Sequence, residues 1–492
     1  MDHVTILSLV TQHGVSEAMA LRFTRRTFLA GLGASVAVLA LPRFSAAASA
    51  QGFRSLKAAA TTANLVAGGP GSGENNTAVW AYDGSVPGPL LRAKVGERLR
   101  VRFENALEQE SSVHWHGIRI DNAMDGVPGL TQEPVMPGGS FDYDFELTHP
   151  GTYWYHPHIR SSEQVARGLH GVLIVDEAEA PDVDQDILMV IDDWRITEQG
   201  QIHDQSFGAL HDAAHSGRLG NWLTVNGASE PHFEVGTGQR IRLRLANVAN
   251  ARIFQLDAAK LGALVFAVDG HGLEAAENPV DPVLLGPGQR ADLIFEVAEG
   301  IEEIAFNDVS SGEPVTAAKF KVVRDATPAR SRPPLESYSL PRFAPEPDMA
   351  NARKIDLKME GGAMGGLATA MLDGEQMSLR DLAQKGYVWA FNGKVGRMHD
   401  RLFEAKRGET IAIEFINETA WPHAMHLHGH HFKVLTRDGE PAPDPGFRDT
   451  VVMGPEQRVG VAFVADNPGK WMLHCHMLEH QSTGMMASFS VA

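Results

Sequence analysis

Cysteine is nearly absent from this chain, since Cys475 is the only one among 492 residues. A single cysteine cannot form an internal disulfide. Positive charge is also in short supply, because 43 Lys and Arg stand against 61 Asp and Glu, for a net charge of −18. A nucleic-acid partner needs Lys and Arg to neutralise its phosphates, so this balance argues against one. Beyond residue 50 no apolar run is long enough to span a membrane, and we expect no stable membrane insertion of the mature chain.

The residues around the single cysteine indicate a metal site. Cys475 lies between His474 and His476, and His480 and Met485 follow. A thiolate, two imidazoles and a thioether form the ligand set of a blue-copper centre, in which the methionine is a weak axial ligand. Zinc is a poor alternative, because it prefers closed tetrahedral sets of Cys and His.

Three further histidine pairs have the spacing His-x-His. They are His114 and His116, His156 and His158, and His426 and His428. Side chains alternate between the two faces of a strand, so both members of a pair point the same way. By the same rule Cys475 points away from its neighbours His474 and His476, and His423 points away from its own pair. The pattern predicts a cysteine-containing site and, behind it, a site of eight histidines that could hold three coppers.

With all four motifs present in order, the chain resembles the multicopper oxidases, the family of laccases, bilirubin oxidases and bacterial cuprous oxidases. The resemblance implies four copper ions: one type 1, one type 2 and two type 3. It implies the type 1 ligands His423, Cys475, His480 and Met485, and the type 2 ligands His114 and His426. It implies the type 3 ligands His116, His156, His158, His428, His474 and His476. A reductant would then give single electrons to the type 1 copper, and Cys475 would pass them to the other three coppers, where dioxygen becomes water.

An internal repeat predicts the domain organisation. Residues 95–105 recur as 235–247 and 407–417, and in each copy apolar and polar residues alternate as in a half-buried strand. We therefore predict an all-β fold of three consecutive β-sandwich units, which the resemblance identifies as cupredoxin-like Greek-key domains. The predicted domains are 51–180, 181–325 and 350–492, with a proline-rich linker over 326–349.

The copper motifs fall in the first and third units, so we expect the eight-histidine site at their interface. The middle unit contains none of these motifs and is interpreted as a spacer. Histidines outside the motifs are expected to have surface or hydrogen-bonding roles. They include His203, His211, His215, His232 and His271.

The N-terminal segment resembles an export signal. Arg25 and Arg26 precede an apolar run over 30–41, and a small-residue cleavage pattern ends at Ala50. We therefore predict a twin-arginine signal peptide over 1–50, recognised by the export machinery, and a periplasmic or secreted protein. An uncleaved membrane anchor is the alternative, and Met19 is an alternative start to Met1.

Reduction of dioxygen also consumes protons, which carboxylates could supply. Asp125 matches the acid that the family places beside the type 2 copper, although an Asp-Gly pair is also an ordinary turn. Many bacterial relatives carry a glutamate where this chain has Gln481. We expect Glu479 or a chain of waters to take over that role.

The nature of the reductant is the main open question. Phenols and aromatic amines are the expected substrates, and Cu(I) is the alternative. Five methionines precede Trp389, namely Met349, Met359, Met364, Met371 and Met377. We expect a flap over 359–377 that controls access to the type 1 copper and, since thioethers suit Cu(I), could bind it. Core packing is the other interpretation.

Relatives that bind Cu(I) carry an aspartate at the position of Thr419. Other exported relatives have lost their copper ligands and serve as structural or cell-division factors, but all twelve ligand positions are filled here.

Overall fold

The computed structural model describes residues 52–69, 76–277, 282–323, 332–337 and 341–492. The signal peptide predicted over 1–50 and part of the predicted linker lie outside these residues. The regular secondary structure of the described part is mostly β-strand, with only a few short helices, which confirms the predicted all-β fold. Its α-helices are short, and none is long and apolar enough to cross a membrane.

The first pair of sheets is formed by residues 54–176. Its strands are β1 (Arg54–Ala63), β2 (Thr77–Tyr82), β3 (Leu91–Lys94), β4 (Arg98–Asn105), β5 (His114–His116), β6 (Ser140–Glu146), β7 (Gly151–His156) and β8 (Gly171–Asp176). They form the sheets β2-β1-β4-β6 and β3-β8-β7-β5, which share one hydrophobic core. Helix α1 (Ser161–Gln164) lies between β7 and β8.

The second pair of sheets is formed by residues 185–323. Its elements are β9 (Gln185–Trp194), α2 (Leu210–Ala213), β10 (Trp222–Val225), β11 (His232–Gly236), β12 (Arg240–Asn247), β13 (Phe254–Leu256), β14 (Leu264–Val268), β15 (His271–Glu277), β16 (Val283–Leu285), β17 (Arg290–Glu296), β18 (Glu303–Asp308) and β19 (Val315–Val323). The sheets β10-β9-β12-β17-β14-β15 and β11-β19-β18-β13-β16 enclose a second core.

The third pair of sheets is formed by residues 353–491. Its elements are β20 (Arg353–Gly361), β21 (Thr369–Leu372), β22 (Glu375–Ser378), α3 (Leu379–Gln384), β23 (Trp389–Phe391), β24 (Arg401–Ala405), β25 (Glu409–Asn417), β26 (His423–Leu427), β27 (Phe432–Arg437), β28 (Glu440–Arg448), β29 (Thr450–Met453), β30 (Arg458–Ala465), β31 (Gly469–Cys475), α4 (Leu478–Ser482) and β32 (Met486–Val491). The sheets β23-β20-β25-β30-β27-β28 and β24-β32-β31-β26-β29 enclose the third core, and β21 and β22 form a separate hairpin.

We call the three pairs of sheets the first, middle and third units. The domain boundaries themselves stay predictions.

The same asparagine corner closes the repeated strand of each unit. Asn105, Asn247 and Asn417 end β4, β12 and β25. Each side-chain amide donates to two main-chain carbonyls at 2.7–2.8 Å, and its oxygen accepts from the main-chain N–H two residues later at 3.0 Å. A buried amide must satisfy its donors and its acceptor, so this position selects Asn. The corner explains why the three repeats end on the same residue.

The repeated strand is only half-buried in the first unit but fully buried in the middle unit. In β4, Leu99, Val101 and Phe103 are buried while the arginines between them are not. Strand β12 is buried along its whole length because its polar side meets the first unit. There Arg242 pairs with Asp292 at 2.5 Å and with Glu177 at 2.8 Å. The alternating pattern alone did not indicate this second buried face.

Candidate metal centre

Strand pairing brings the histidine motifs together. In the first unit β5 pairs with β7, and His114 is directly opposite His156. In the third unit β26 pairs with β31, and His426 is directly opposite His474. Residues opposite each other in adjacent strands share a face, so each pair points to the same side.

The eight predicted histidines meet between the first and third units, as expected. We call this group the histidine cluster, and its members are His114, His116, His156, His158, His426, His428, His474 and His476. The ring of His114 stacks on that of His428 at 4.0 Å, and the ring of His116 stacks on that of His426 at 3.8 Å. Each stacked pair joins one unit to the other. All eight side chains are buried.

Hydrogen bonds to carbonyl oxygens set the tautomer of several cluster histidines. The Nδ1–H groups of His114, His156, His426 and His474 donate to main-chain carbonyls at 2.7–3.0 Å. In each of them Nε2 is left with its lone pair. The Nε2 atoms of His114, His156 and His426 are buried and have no hydrogen-bond partner among the described residues. Buried polar atoms without partners are rare, and neutral imidazole nitrogens are metal ligands, so the cluster fits bound metal ions.

A second group lies on the other face of β31. It consists of His423, Cys475 and His480, and we call it the cysteine site. The Nδ1 atoms of the two histidines are 3.1 Å apart, and they lie 3.6 and 3.7 Å from the Cys475 sulfur. The point equidistant from these three atoms is about 2.0 Å from each, which is the length of an ordinary metal–imidazole bond. The site therefore fits one metal ion in a trigonal set of ligands.

The outer nitrogens of the cysteine site also have defined partners. The Nε2–H of His423 faces the Thr419 hydroxyl at 2.9 Å, and the Nε2–H of His480 donates to the His215 carbonyl at 2.6 Å. These bonds orient both rings with Nδ1 towards the sulfur. The main chain of Met485 is bonded to Cys475 and to His480 at 3.0 Å each, which ties the predicted axial ligand to the site.

Burial favours the neutral form of the cysteine-site residues and of most cluster histidines. It lowers the pKa of His480 to about 4 and lowers the pKa of His423 and of most cluster histidines well below the ordinary value. It raises the pKa of the Cys475 thiol to about 12. Imidazoles bind metal in their neutral form, whereas the thiol must lose its proton.

Known proteins share these features over most of the chain. The sequence profile of the multicopper oxidases matches residues 70–180 and 372–492. A multicopper oxidase of Mycobacterium tuberculosis is 32% identical over 520 residues, which cover 94% of this chain and 96% of that protein. The chain belongs to the multicopper oxidase family. It is therefore an oxidoreductase that uses dioxygen, and its buried histidine clusters are consistent with the copper sites of that family.

Solved structures of multicopper oxidases have the same fold. The enzyme of Pseudomonas thermotolerans is 33% identical, with a TM-score of 0.76, and the match covers 90% of this chain and 99% of that one. A bacterial laccase-like multicopper oxidase of Ochrobactrum sp., with oxidase activity towards lignin model compounds and lignosulfonate, is 25% identical with a TM-score of 0.76. That match covers 90% of this chain and 98% of that one. The predicted cupredoxin-like units are thereby confirmed as the architecture of this multicopper oxidase.

Two carboxylates contact the histidine cluster of this oxidase. Asp125, singled out in the sequence, is buried and accepts from the His428 Nδ1–H at 3.0 Å; its other oxygen is 3.4 Å from His114 Nδ1. Asp449 was missed, although it is buried and lies 3.1 Å from the Nε2 of His116. Asp449 lies just before β29 and outside every histidine motif, so only the pairing of β29 with β26 could have revealed it.

The middle unit, interpreted from the sequence as a spacer, also contacts the histidine cluster and one of its carboxylates. Arg290 of β17 is fully buried and binds both Asp449 oxygens at 2.7 and 3.0 Å. Gly288 approaches so closely that an added Cβ would lie 3.0 Å from the rings of His116 and His476. The main chain of Gly288 also has a positive φ of 84°, which favours glycine.

Gln481 and the predicted proton donor Glu479 make different contacts around α4. Gln481 is buried, and its amide oxygen accepts from the Ser161 hydroxyl at 3.2 Å. Glu479 accepts from the main-chain N–H of Arg218 at 3.1 Å and from Asn250 at 2.8 Å, both in the middle unit. Burial raises the pKa of Glu479. Its observed contacts anchor the middle unit to α4, and a role in proton delivery stays a prediction.

The methionines of the predicted flap over 359–377 lie in different parts of the structure. Met359, the first residue of that flap, was wrongly assigned to it. Met359 lies inside β20 with no exposed surface and belongs to the third core, because it faces inward in a central strand. Met377 packs against the small core of the β21–β22 hairpin. Met364 and Met371 are exposed, by 79% and 36%. Core packing therefore explains two of these methionines.

Proposed function

We propose that this multicopper oxidase is laccase-like: it takes single electrons from phenols or aromatic amines and reduces dioxygen to water. The position of Cys475 carries the proposal. Its sulfur belongs to the cysteine site, while its neighbour His474 belongs to the histidine cluster. One short covalent path thus connects the place where electrons arrive with the place where dioxygen reacts.

We assign the type 1 copper to the cysteine site, where His423, Cys475 and His480 would hold it and the thioether of Met485 would be a further, weak ligand. We assign the type 2 copper to His114 and His426, and the two type 3 coppers to the other six cluster histidines. Four copper ions held by these residues would supply the one-electron redox chemistry that couples a reductant to dioxygen. The thioether of Met485 places the type 1 potential towards the lower end of the family.

The chain's own residues orient the ligands and carry protons. Thr419 and the His215 carbonyl hold the two type 1 rings, and main-chain carbonyls hold the cluster rings. Asp125 lies against two cluster histidines and is our proposed carrier of protons towards the reduced oxygen. The burial of both groups excludes bulk water, which strengthens these electrostatic contacts.

Aromatic reductants are favoured over Cu(I) by the residues near the cysteine site. Thr419 occupies the position where Cu(I)-binding relatives carry an acid, and its hydroxyl is bonded to His423. The oxidase activity of the Ochrobactrum relative towards lignin model compounds supports the same class.

Cuprous oxidation is the second candidate, and the exposed thioethers of Met364 and Met371 favour it. The deciding experiment compares oxygen uptake with 2,6-dimethoxyphenol and with Cu(I), with and without added Cu(II). A higher kcat/KM for the phenol supports the laccase-like function. A higher value for Cu(I) that falls in the double variant Met364→Ala, Met371→Ala would replace it with the cuprous-oxidase function.

We also propose that the protein acts after export through the twin-arginine route. The motif at Arg25 and Arg26 supports this, because that route carries folded proteins and would deliver Cys475 already bound to copper. Replacing both arginines with lysine should retain the protein in the cytoplasm, as measured by cell fractionation. Unchanged export of that variant would contradict the proposal.

A further inference from the structure

Reductants cannot touch the ligands of the cysteine site. The side chains of His423, Cys475 and His480 have no exposed surface. The outer nitrogen of His423 faces the buried Thr419, whereas that of His480 donates to the main-chain carbonyl of His215 at 2.6 Å. The segment that covers His480 therefore comes from the middle unit.

This covering segment, residues 213–218, is fastened to the third unit on both sides of His215. The Ala213 carbonyl accepts from the Trp389 indole at 2.7 Å, and the Ala214 carbonyl accepts from the Ala363 N–H at 2.7 Å. On the other side the Arg218 N–H donates to Glu479, one residue before His480. The hydrogen bond between His215 and His480 is therefore held in place by both flanks.

Three aromatic side chains lie on the outer side of this segment. The half-buried rings of His215 and Trp421 meet edge to face at 4.9 Å, and the His215 ring stacks on that of His211 at 4.1 Å with 16° between the planes. The His211 side chain is 80% exposed. The indole N–H of Trp421 donates to the Ala363 carbonyl at 2.8 Å, which fixes its ring. We call His211, His215 and Trp421 the aromatic shelf.

We propose that phenols and aromatic amines dock on the aromatic shelf and that their electrons reach His480 through the main chain of His215. Flat, electron-rich rings stack on imidazole and indole faces, and the shelf presents both. The covalent and hydrogen-bonded path from the His215 ring to the His480 ring contains only one non-covalent step. The inference rests on the laccase-like function proposed above and deepens it by naming where the reductant binds.

The reaction on the shelf balances as follows. Each docked phenol loses one electron to the cysteine site and its hydroxyl proton to solvent, and it leaves as a phenoxyl radical. Four phenols release four electrons and four protons, which match those that one dioxygen needs to form two waters.

The test uses His211→Ala, His215→Ala and Trp421→Ala in the full chain, with His232→Ala as control. His232 is an exposed histidine of the same unit, on β11. His215→Ala keeps the main-chain carbonyl, so the blue absorption of the copper-loaded protein should persist. The first readout is KM for 2,6-dimethoxyphenol. The second is binding of 1,2,3-trimethoxybenzene, which has no hydroxyl to oxidise, to the copper-free protein by NMR.

We expect each shelf variant to raise KM and to weaken binding of the ether by about three- to tenfold, the factor for losing one aromatic stacking contact. Trp421→Phe should restore most of the loss. If the wild type oxidises phenols but all shelf variants match His232→Ala in both readouts, the shelf is not the docking site. A rise in KM without weaker ether binding would also overturn the inference. If the wild type oxidises Cu(I) but no phenol, the proposed function fails instead.

Discussion

Arg290 offers the strictest test of how the three units are joined. Its guanidinium donates to the carbonyls of Thr152 in the first unit and Gly288 in the middle unit, both at 3.0 Å, and to Asp449 in the third unit. Arg290→Met keeps the length of the side chain but leaves Asp449 buried without its cation. Removing one partner of a buried ion pair lowers the free energy of unfolding by about 3–5 kcal/mol, because the remaining charge is uncompensated.

The internal repeat supplies a matched control for this variant. Arg458 begins β30 as Arg290 begins β17, and each of these strands pairs with the repeated strand of its own unit. The Arg458 side chain is 55% exposed and pairs with Glu414 at 3.3 Å. Arg458→Met should therefore change the free energy of unfolding by no more than about 0.5 kcal/mol. The assay is urea unfolding of the copper-free protein, followed by tryptophan fluorescence. The copper-loaded Arg290→Met variant should also keep its blue absorption but hold less copper in the histidine cluster, as measured by metal analysis.

Our explanation of the middle unit would be refuted by an Arg290→Met variant that unfolds within 1 kcal/mol of Arg458→Met. Such a result would mean that Asp449 takes up a proton or water at little cost. Arg290→Lys should lie between the two, because a lysine keeps the charge but cannot bind both carboxylate oxygens in the same way.

Four other predictions concern the two metal sites and a buried carboxylate near them. Cys475→Ser should abolish the blue absorption and nearly all oxygen uptake, because the thiolate is both ligand and electron path; a blue variant would contradict the assignment. His114→Ala should keep the blue absorption but lose oxygen reduction, and wild-type oxygen uptake would refute its place in the cluster. Asp125→Asn should lower oxygen uptake sharply at saturating reductant while Gln481→Glu raises it, and two unchanged pH profiles would show that protons use another path. Asp269 is a buried carboxylate that accepts from the main-chain N–H groups of Arg290 at 2.9 Å and of Thr450 at 3.2 Å. Burial raises the pKa of Asp269 to about 7, so the native state of the copper-free protein binds this proton more tightly than the unfolded state. The contribution of Asp269 to the free energy of unfolding should therefore fall as pH rises from about 4 to 7, against the rise contributed by the buried neutral histidines. Asp269→Asn should make the net rise with pH steeper in urea unfolding, and an unchanged slope would assign the proton elsewhere.

The opposite orientations of Cys475 and its neighbours could be predicted from the sequence because they depend on local geometry. A strand alternates its side chains with a period of two, so the spacing His-Cys-His already separates one sulfur from two imidazoles. The same reasoning placed the paired histidines of the first and third units on shared faces. The three repeats were visible because each unit needs a strand with one apolar face in its core and the same asparagine corner at its end.

The partners of these ligands could not be predicted, because they come from distant parts of the chain. His480 is bonded to a carbonyl 265 residues earlier, and His428 is bonded to Asp125 303 residues earlier. The methionines show a second limit of prediction from the sequence. Their spacing alone could not distinguish Met359 in the core from the exposed Met364.

The sequence by itself determined which residues can bind metal and on which face of a strand each one lies. Only the tertiary structure decided that the middle unit reaches both sites, through Arg290 at the histidine cluster and His215 at the cysteine site. The physical reason is that the spacing of residues along a strand fixes the ligand motifs. The groups that cover and orient the ligands are instead selected by close packing of surfaces that meet only after the chain has folded.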